Sequence, residues 1–310
     1  MQTILGSGGA IGTELAKELN TFTDDIRLVS RNPKKVNTTD HLFSADLLDY
    51  KQLEKAIEGS EIAYITVGFP YSYKVWQQAW PRFIENVLKA CKERPTKLVF
   101  FDNIYMYDKD QLDGMTEDTT INPPSKKGQV RAAVFQSLMD EIDKGSIQGL
   151  VARAADFYGP SIKGTSLLTE MGFDPLSRGK KASWLMSTQY KHSFTYTPDA
   201  AKATAILGNT PSAYNQVWHL PTAKNPKTGK EWIESIAQKL GTKPKIQVAN
   251  KFITQVLGLF NPIMKEFVEM LYQYDRTYVF NSDKFEKAFD FKPTPYEQGI
   301  SEIIEQDYRE

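Results

Sequence analysis

Residues 6–12 read Gly6-Ser7-Gly8-Gly9-Ala10-Ile11-Gly12, directly after the short apolar run Thr3-Ile4-Leu5 and before a stretch, 11–19, whose apolar residues fall at helical spacing. Glycines at such a strand-to-helix turn let the backbone turn sharply, approach a pyrophosphate closely, and bring the helix down onto the strand. The strict G-x-G-x-x-G spacing fails at Ile11, but Gly6, Gly9 and Gly12 satisfy G-x-x-G-x-x-G. The strand before and the helix after are the context that separates a dinucleotide loop from a merely tight turn. A helix N-terminus there offers unpaired N–H groups and a positive dipole end to phosphates. Residues 6–12 are therefore the first cofactor-binding candidates.

Outward from this loop, β-rich runs at 3–5, 26–30, 42–45, 61–67, 97–102 and 148–155 alternate with helical patterns at 11–19, 51–57, 75–93 and 126–143. That alternation predicts parallel βαβ units and a doubly wound α/β sheet. In 75–93, Trp76, Ala79, Trp80, Phe83, Ile84, Val87 and Leu88 mark the face of a crossover helix. After Gly159-Pro160 the alternation weakens into a Gly-, Ser- and Thr-rich segment from 161 to 193. Residues 1–160, with 194–222 returning to them, are predicted to form the nucleotide-binding domain; 161–193 and 223–310 form a smaller α/β substrate domain. Within the latter, Thr228-Gly229-Lys230-Glu231 reads as a capping box opening a helix that stops at Gly241.

Composition narrows the function classes. The chain has 310 residues, with 38 Lys plus Arg against 38 Asp plus Glu, so its net charge is zero. That excludes a polyanion-coating protein, and no nucleic-acid or membrane partner is expected. One cysteine, Cys91, can form no internal disulfide, and three dispersed histidines give no metal-ligand spacing. A strand begins almost at Met1, leaving no room for an export signal, so a cytoplasmic protein is expected. The most apolar later stretch, 252–272, is interrupted by Asn261-Pro262 and by charges. It is expected to be packed core, with a dimer or membrane-surface helix as the alternative.

At the end of the second strand, where an acidic residue would meet the ribose hydroxyls of NAD, stand Ser30-Arg31-Asn32. An arginine fork and a serine hydroxyl suit a 2′-phosphate, so NADP is favoured over NAD, with a solvated surface charge the alternative for Arg31. Asp46, followed by Leu47, follows the third strand and could meet the adenine or merely cap a turn. Val67 and Gly68 close the fourth strand, where small residues let a cofactor pass, and Phe69 follows as a candidate substrate contact.

Together with Ala45-Asp46-Leu47, the run from Ala152 through Arg153, Ala154 and Asp156 to Gly159-Pro160, and His192-Ser193-Phe194-Thr195-Tyr196-Thr197-Pro198-Asp199, these motifs resemble the NAD-dependent epimerase/dehydratase family, the extended short-chain dehydrogenase/reductases. The resemblance covers nearly the whole chain. It implies a Rossmann domain holding NAD(P) and a second domain closing over a substrate, often a nucleotide sugar. It further implies that Arg153 is structural, that Ala154 lines the nicotinamide pocket, and that Asp156 and His192 face the substrate. The departures are chemical. Where the family carries a catalytic serine this chain has Asn103, in Asp102-Asn103-Ile104-Tyr105, and where it carries Tyr-x-x-x-Lys this chain has Lys127-Gly128-Gln129-Val130-Arg131.

Two readings follow. In one, Lys127 replaces the tyrosine as proton donor, Arg131 supplies a fixed neighbouring charge, and Asn103 or Tyr105 orients the substrate oxygen. The protein is then an NAD(P)-dependent oxidoreductase or epimerase/dehydratase acting on a nucleotide sugar or small carbonyl compound. In the other, Lys127 and Arg131 only hold the cofactor, and the protein is a redox-inert NADP-binding sensor. The long helices of the first domain could pair two copies as a homodimer.

Overall fold

The computed structural model describes residues 1–162 and 164–309. Seven parallel strands form its main sheet: β1 (Gln2–Leu5), β2 (Ile26–Ser30), β3 (His41–Ser44), β4 (Ile62–Ile65), β5 (Lys97–Asp102), β6 (Gly149–Arg153) and β7 (Val217–His219). Their spatial order is β7-β6-β5-β4-β1-β2-β3. The order reverses beside β1, which pairs with both β2 and β4. At that switch point the carboxyl ends of the strands leave a crevice, the usual ligand position in an open α/β sheet. The central strands β1 and β4 are buried along their whole length, as a sheet covered on both faces requires. Helices α1 (Ala10–Leu19), α2 (Tyr50–Ile57), α3 (Tyr73–Glu93), α4 (Lys126–Asp143) and α5 (Thr197–Gly208) flank it. The face of α3 predicted from apolar spacing is the buried one, from Trp76 through Leu88.

The chain divides into two compact units, one of residues 1–106, 127–153 and 200–220, the other of 107–126, 154–199 and 221–310. The crossings between them differ from those read in the sequence. Residues 107–126 leave the first unit because Asp113–Met115 pairs in parallel with Val279–Phe280. Residues 154–160 leave it because the predicted strand 148–155 is broken. Ala155 N–H donates to the Thr195 hydroxyl at 3.0 Å, and Asp156–Tyr158 then pairs with Phe194–Tyr196. Residues 194–199 belong to the second unit for the same reason.

The second unit has its own core, built around Trp232, Tyr158, Phe173, Phe194, Tyr296 and Ile300. The capping box at Thr228 is present: its hydroxyl accepts from Glu231 N–H at 3.3 Å, and the Glu231 carboxylate accepts from Thr228 N–H at 2.7 Å. The expectation that 252–272 is packed core holds only at its far end. Met270 and Leu271 are buried, whereas Phe252, Leu259 and Phe260 stand 72%, 79% and 85% exposed. Apolar spacing is the same for a core face and for a bare one, so periodicity could not separate them.

Candidate functional site

The glycine loop leaves β1 with Gly6 at φ +99°, in the region that favours glycine. A Cβ there would lie 2.5 Å from the backbone of Val67. Gly12, inside the first turn of α1, is equally confined: its Cβ would meet the Gly6 carbonyl oxygen at 2.6 Å. These two glycines make the tight turn and the close seating of α1. Gly8 and Gly9, by contrast, are exposed, and a Cβ on Gly8 would meet nothing within 4 Å. The helix N-terminus behind them is capped by no side chain. Ser7 Oγ is buried without a hydrogen-bond partner among the described residues. An open backbone shelf, an uncapped helix start and an orphaned buried hydroxyl fit a phosphate-bearing cofactor. Ala10 opens the helix, and Ile11 turns into the core.

Around this loop the other predicted cofactor contacts divide. Ser30 ends β2, and Arg31 and Asn32 follow it as exposed residues; the Arg31 carbonyl accepts from the Ser44 hydroxyl at 2.8 Å, leaving the side chain outside that bond. Val67 lies against Gly6, and Gly68 is exposed next to it. Asp46 takes the turn role: its carboxylate accepts from Leu48 N–H at 3.0 Å, Leu47 is buried, and the true cap of α2 is Asp49.

The predicted catalytic residues lie just after β5 and in the first two turns of α4. Asn103 accepts from Tyr105 N–H at 3.1 Å, so its side-chain oxygen closes the local turn. Tyr105 stacks on Trp76, ring centroids 6.1 Å apart. Lys127 is fully buried, its ammonium 4.8 Å from the centre of the Tyr71 ring. Arg131, one turn further along α4, lies with its guanidinium 4.1 Å from the Trp80 ring centre, and its Nε and Nη2 both donate to Asp102 Oδ1. The other carboxylate oxygen, Asp102 Oδ2, accepts from Arg153 Nη2 at 3.1 Å. Asp102 is thus a buried anion between two buried cations, and the charge of Arg131 is matched within the core. Sequence reading placed Arg131 beside Lys127 but missed Asp102 as its partner. The available signal was an acidic residue directly before Asn103 at the end of a strand read as buried.

The predicted substrate contacts fall in both units. Phe69, in the first, packs edge-on against Trp80 at 4.9 Å and Phe83 at 5.8 Å. Ala154, Asp156 and His192 belong to the second. There Asp156 Oδ2 is shared by His192 Nε2 at 2.9 Å and by the Tyr274 hydroxyl at 2.7 Å. The His192 ring is sandwiched between those of Tyr274 and Tyr278, at 4.6 and 4.2 Å. Ala154 is buried. Tyr274 and Tyr278 carried no sequence signal, because they lie far from His192 along the chain and only the fold stacks them.

A seven-stranded parallel sheet of order 3-2-1-4-5-6-7 with a glycine cradle at the end of β1 defines a dinucleotide-binding fold of the Rossmann type. The model of the NAD dependent epimerase/dehydratase family matches residues 3–218, and the chain belongs to that family. Among solved structures it is similar to UDP-glucose 4-epimerase of Thermus thermophilus, a complex with NAD, with a TM-score of 0.79 and 16% identity over 99% of this chain and 98% of that one. It is also similar to dTDP-glucose 4,6-dehydratase of Bacillus anthracis str. Ames in complex with NAD, with a TM-score of 0.80 and 18% identity over 98% and 95% of the two chains. A third, UDP-N-acetylglucosamine 4-epimerase of Bacillus cereus, has a TM-score of 0.76 and 15% identity over 97% and 94%. A search of curated protein sequences found no match.

Proposed function

We propose that the protein is an NADP-preferring oxidoreductase or epimerase/dehydratase acting on an oxygenated substrate, with a nucleotide sugar as the first class to test. The glycine cradle, open at Gly8 and closed at Gly6 and Gly12, carries the cofactor half of this reading. Arg31, exposed beyond β2 with no acidic residue beside it in the sequence, would fork onto a 2′-phosphate. The nucleotide-sugar class rests on the family and on the substrates named for the similar enzymes.

When bound, the nicotinamide supplies a hydride donor or acceptor, so a substrate carbonyl being reduced needs one proton from the protein. Lys127 Nζ is the proposed donor: it gives that proton to the substrate oxygen as the negative charge develops there, and takes it back in the reverse direction. Asn103 and Tyr105, fixed by the turn and by Trp76, orient the oxygen. The two pairings of Arg131 with Asp102 change its proposed part, from the charge that tunes Lys127 to a strut that holds α4 against β5. Full burial of Lys127 also favours a second reading, a cofactor-binding module without turnover.

Lys127→Met, which keeps the bulk of the side chain, separates them. Under the enzyme reading NADPH binding, followed by cofactor fluorescence, changes modestly, while substrate-dependent NADPH oxidation across a panel of nucleotide sugars and small carbonyl compounds falls by roughly 10²–10⁴-fold. Equal losses in binding and turnover would remove the proton-donor role. Tight NADPH binding by the unaltered protein with no turnover on any panel member would leave the module reading.

A further inference from the structure

Eight of the twelve exposed large apolar side chains among the described residues lie between Val248 and Ile263. All but Val248 sit on a helical hairpin in the second unit, Lys251–Gly258 and Pro262–Phe267, whose connection places Leu259 and Phe260 at the tip. The hairpin is built rather than frayed. Asn250 caps the first helix by accepting from Ile253 N–H, and Asn261 caps the second by accepting from Ile263 and Met264 N–H. Gly258 lets the helices touch, since a Cβ there would come within 3.0 Å of Lys265 Cα.

The charge along this stretch of chain is mostly positive. Residues 235–265 contain Lys239, Lys243, Lys245, Lys251 and Lys265 and no aspartate or glutamate, although the whole chain is neutral; the one acidic residue on the hairpin, Glu266, follows Lys265 and is half-buried. All five lysines are exposed. A second copy docking face to face would set like charges against each other, which disfavours self-association through this surface. An apolar tip flanked along the chain by exposed lysines, without an alternating pattern of sign, lacks the charge register that fixes a protein partner. It does fit an interface that is apolar below and anionic above.

We propose that the hairpin of residues 251–267 docks the protein onto anionic lipid bilayers. Phe252, Leu259, Phe260 and Ile263 enter the headgroup–acyl boundary while the lysines meet lipid phosphates. The hairpin lies on the surface rather than crossing it, since no helix among the described residues is long and apolar enough to span a membrane. The proposal is independent of the reading of the nucleotide site.

The test is flotation of the full chain with vesicles of phosphatidylglycerol mixed with phosphatidylcholine, against vesicles of phosphatidylcholine alone. Binding to the anionic vesicles that weakens with salt is expected. A Leu259→Asp/Phe260→Asp variant should lose at least roughly tenfold in vesicle affinity by removing the apolar anchor, and a Lys251→Glu/Lys265→Glu variant should lose a similar amount by reversing the charge. All four positions are exposed, so a thermal melt unchanged in both variants is expected and confirms that the fold is not what was lost. Absence of flotation with anionic vesicles, or flotation that neither variant reduces, overturns the proposal. So does a dimer in sedimentation that Phe260→Asp dissolves in a protein that does not float, which would assign the face to a second copy.

Discussion

Arg31 stands exposed just beyond β2, and what it does depends on whether a phosphate arrives. If it grips a 2′-phosphate, Arg31→Asp should weaken NADPH binding by at least roughly tenfold and bring NADH level with it, because a fork that meets the phosphate becomes a carboxylate that repels it. Parallel fluorescence titrations with both cofactors measure this, and an unchanged NADPH affinity would return Arg31 to the status of a solvated surface charge. Asp102 is the opposite case, a residue whose partners are all in place. With Arg131 on one oxygen and Arg153 on the other, Asp102→Asn leaves two buried guanidinium groups without their anion. A loss of about 3–5 kcal/mol is expected from breaking such a pairing, read as a lower urea midpoint. A shift within the error of the midpoint would mean that the two cations are satisfied by other groups.

Among the elements, α1 and the helix Gly229–Leu240 were legible from sequence because their signals are local. Glycines at 6, 9 and 12 and the Thr228–Glu231 capping box act within one turn of chain, so spacing alone exposes them. Thr228→Ala should cost about 1 kcal/mol, the usual effect of a lost N-cap, in denaturant unfolding of the intact chain. No measurable loss would mean that packing of Trp232 and Ile236 alone fixes the helix start. The run 148–155 was misread for a reason equally physical. From Gly149 its residues are apolar or small up to Arg153 and again beyond it, so nothing in the sequence marks the point where the ladder ends and Ala155 turns to Thr195. The exposed hairpin tip at Leu259 and Phe260 escaped for a similar cause: the spacing that marks an apolar face does not say what covers it.

At the level of the whole molecule, the chain passes between its two units several times, and each pass is set by pairings between distant residues, such as Asp113–Met115 with Val279–Phe280. Cys91, the single cysteine, lies on the buried side of α3, where burial pushes its thiol up to about 12. Since only the thiolate attacks, a thiol reagent at neutral pH should leave the native protein unmodified and label Cys91 only as denaturant unfolds the first unit. Rapid labelling without denaturant would show that α3 opens locally. This single site therefore serves as a reporter of the first unit's stability.

By itself the sequence determined the parallel α/β architecture, the glycine cradle and the absence of the usual tyrosine and lysine, because alternation, glycine spacing and motif positions are properties of neighbouring residues. Only the tertiary structure decided which of the substituted groups are engaged. It put Asp102 between Arg131 and Arg153, laid the Lys127 ammonium over Tyr71, and stacked Tyr274 and Tyr278 about His192. Those contacts join residues far apart in the chain, and buried charges find their partners through the packing of strands and helices rather than along the sequence.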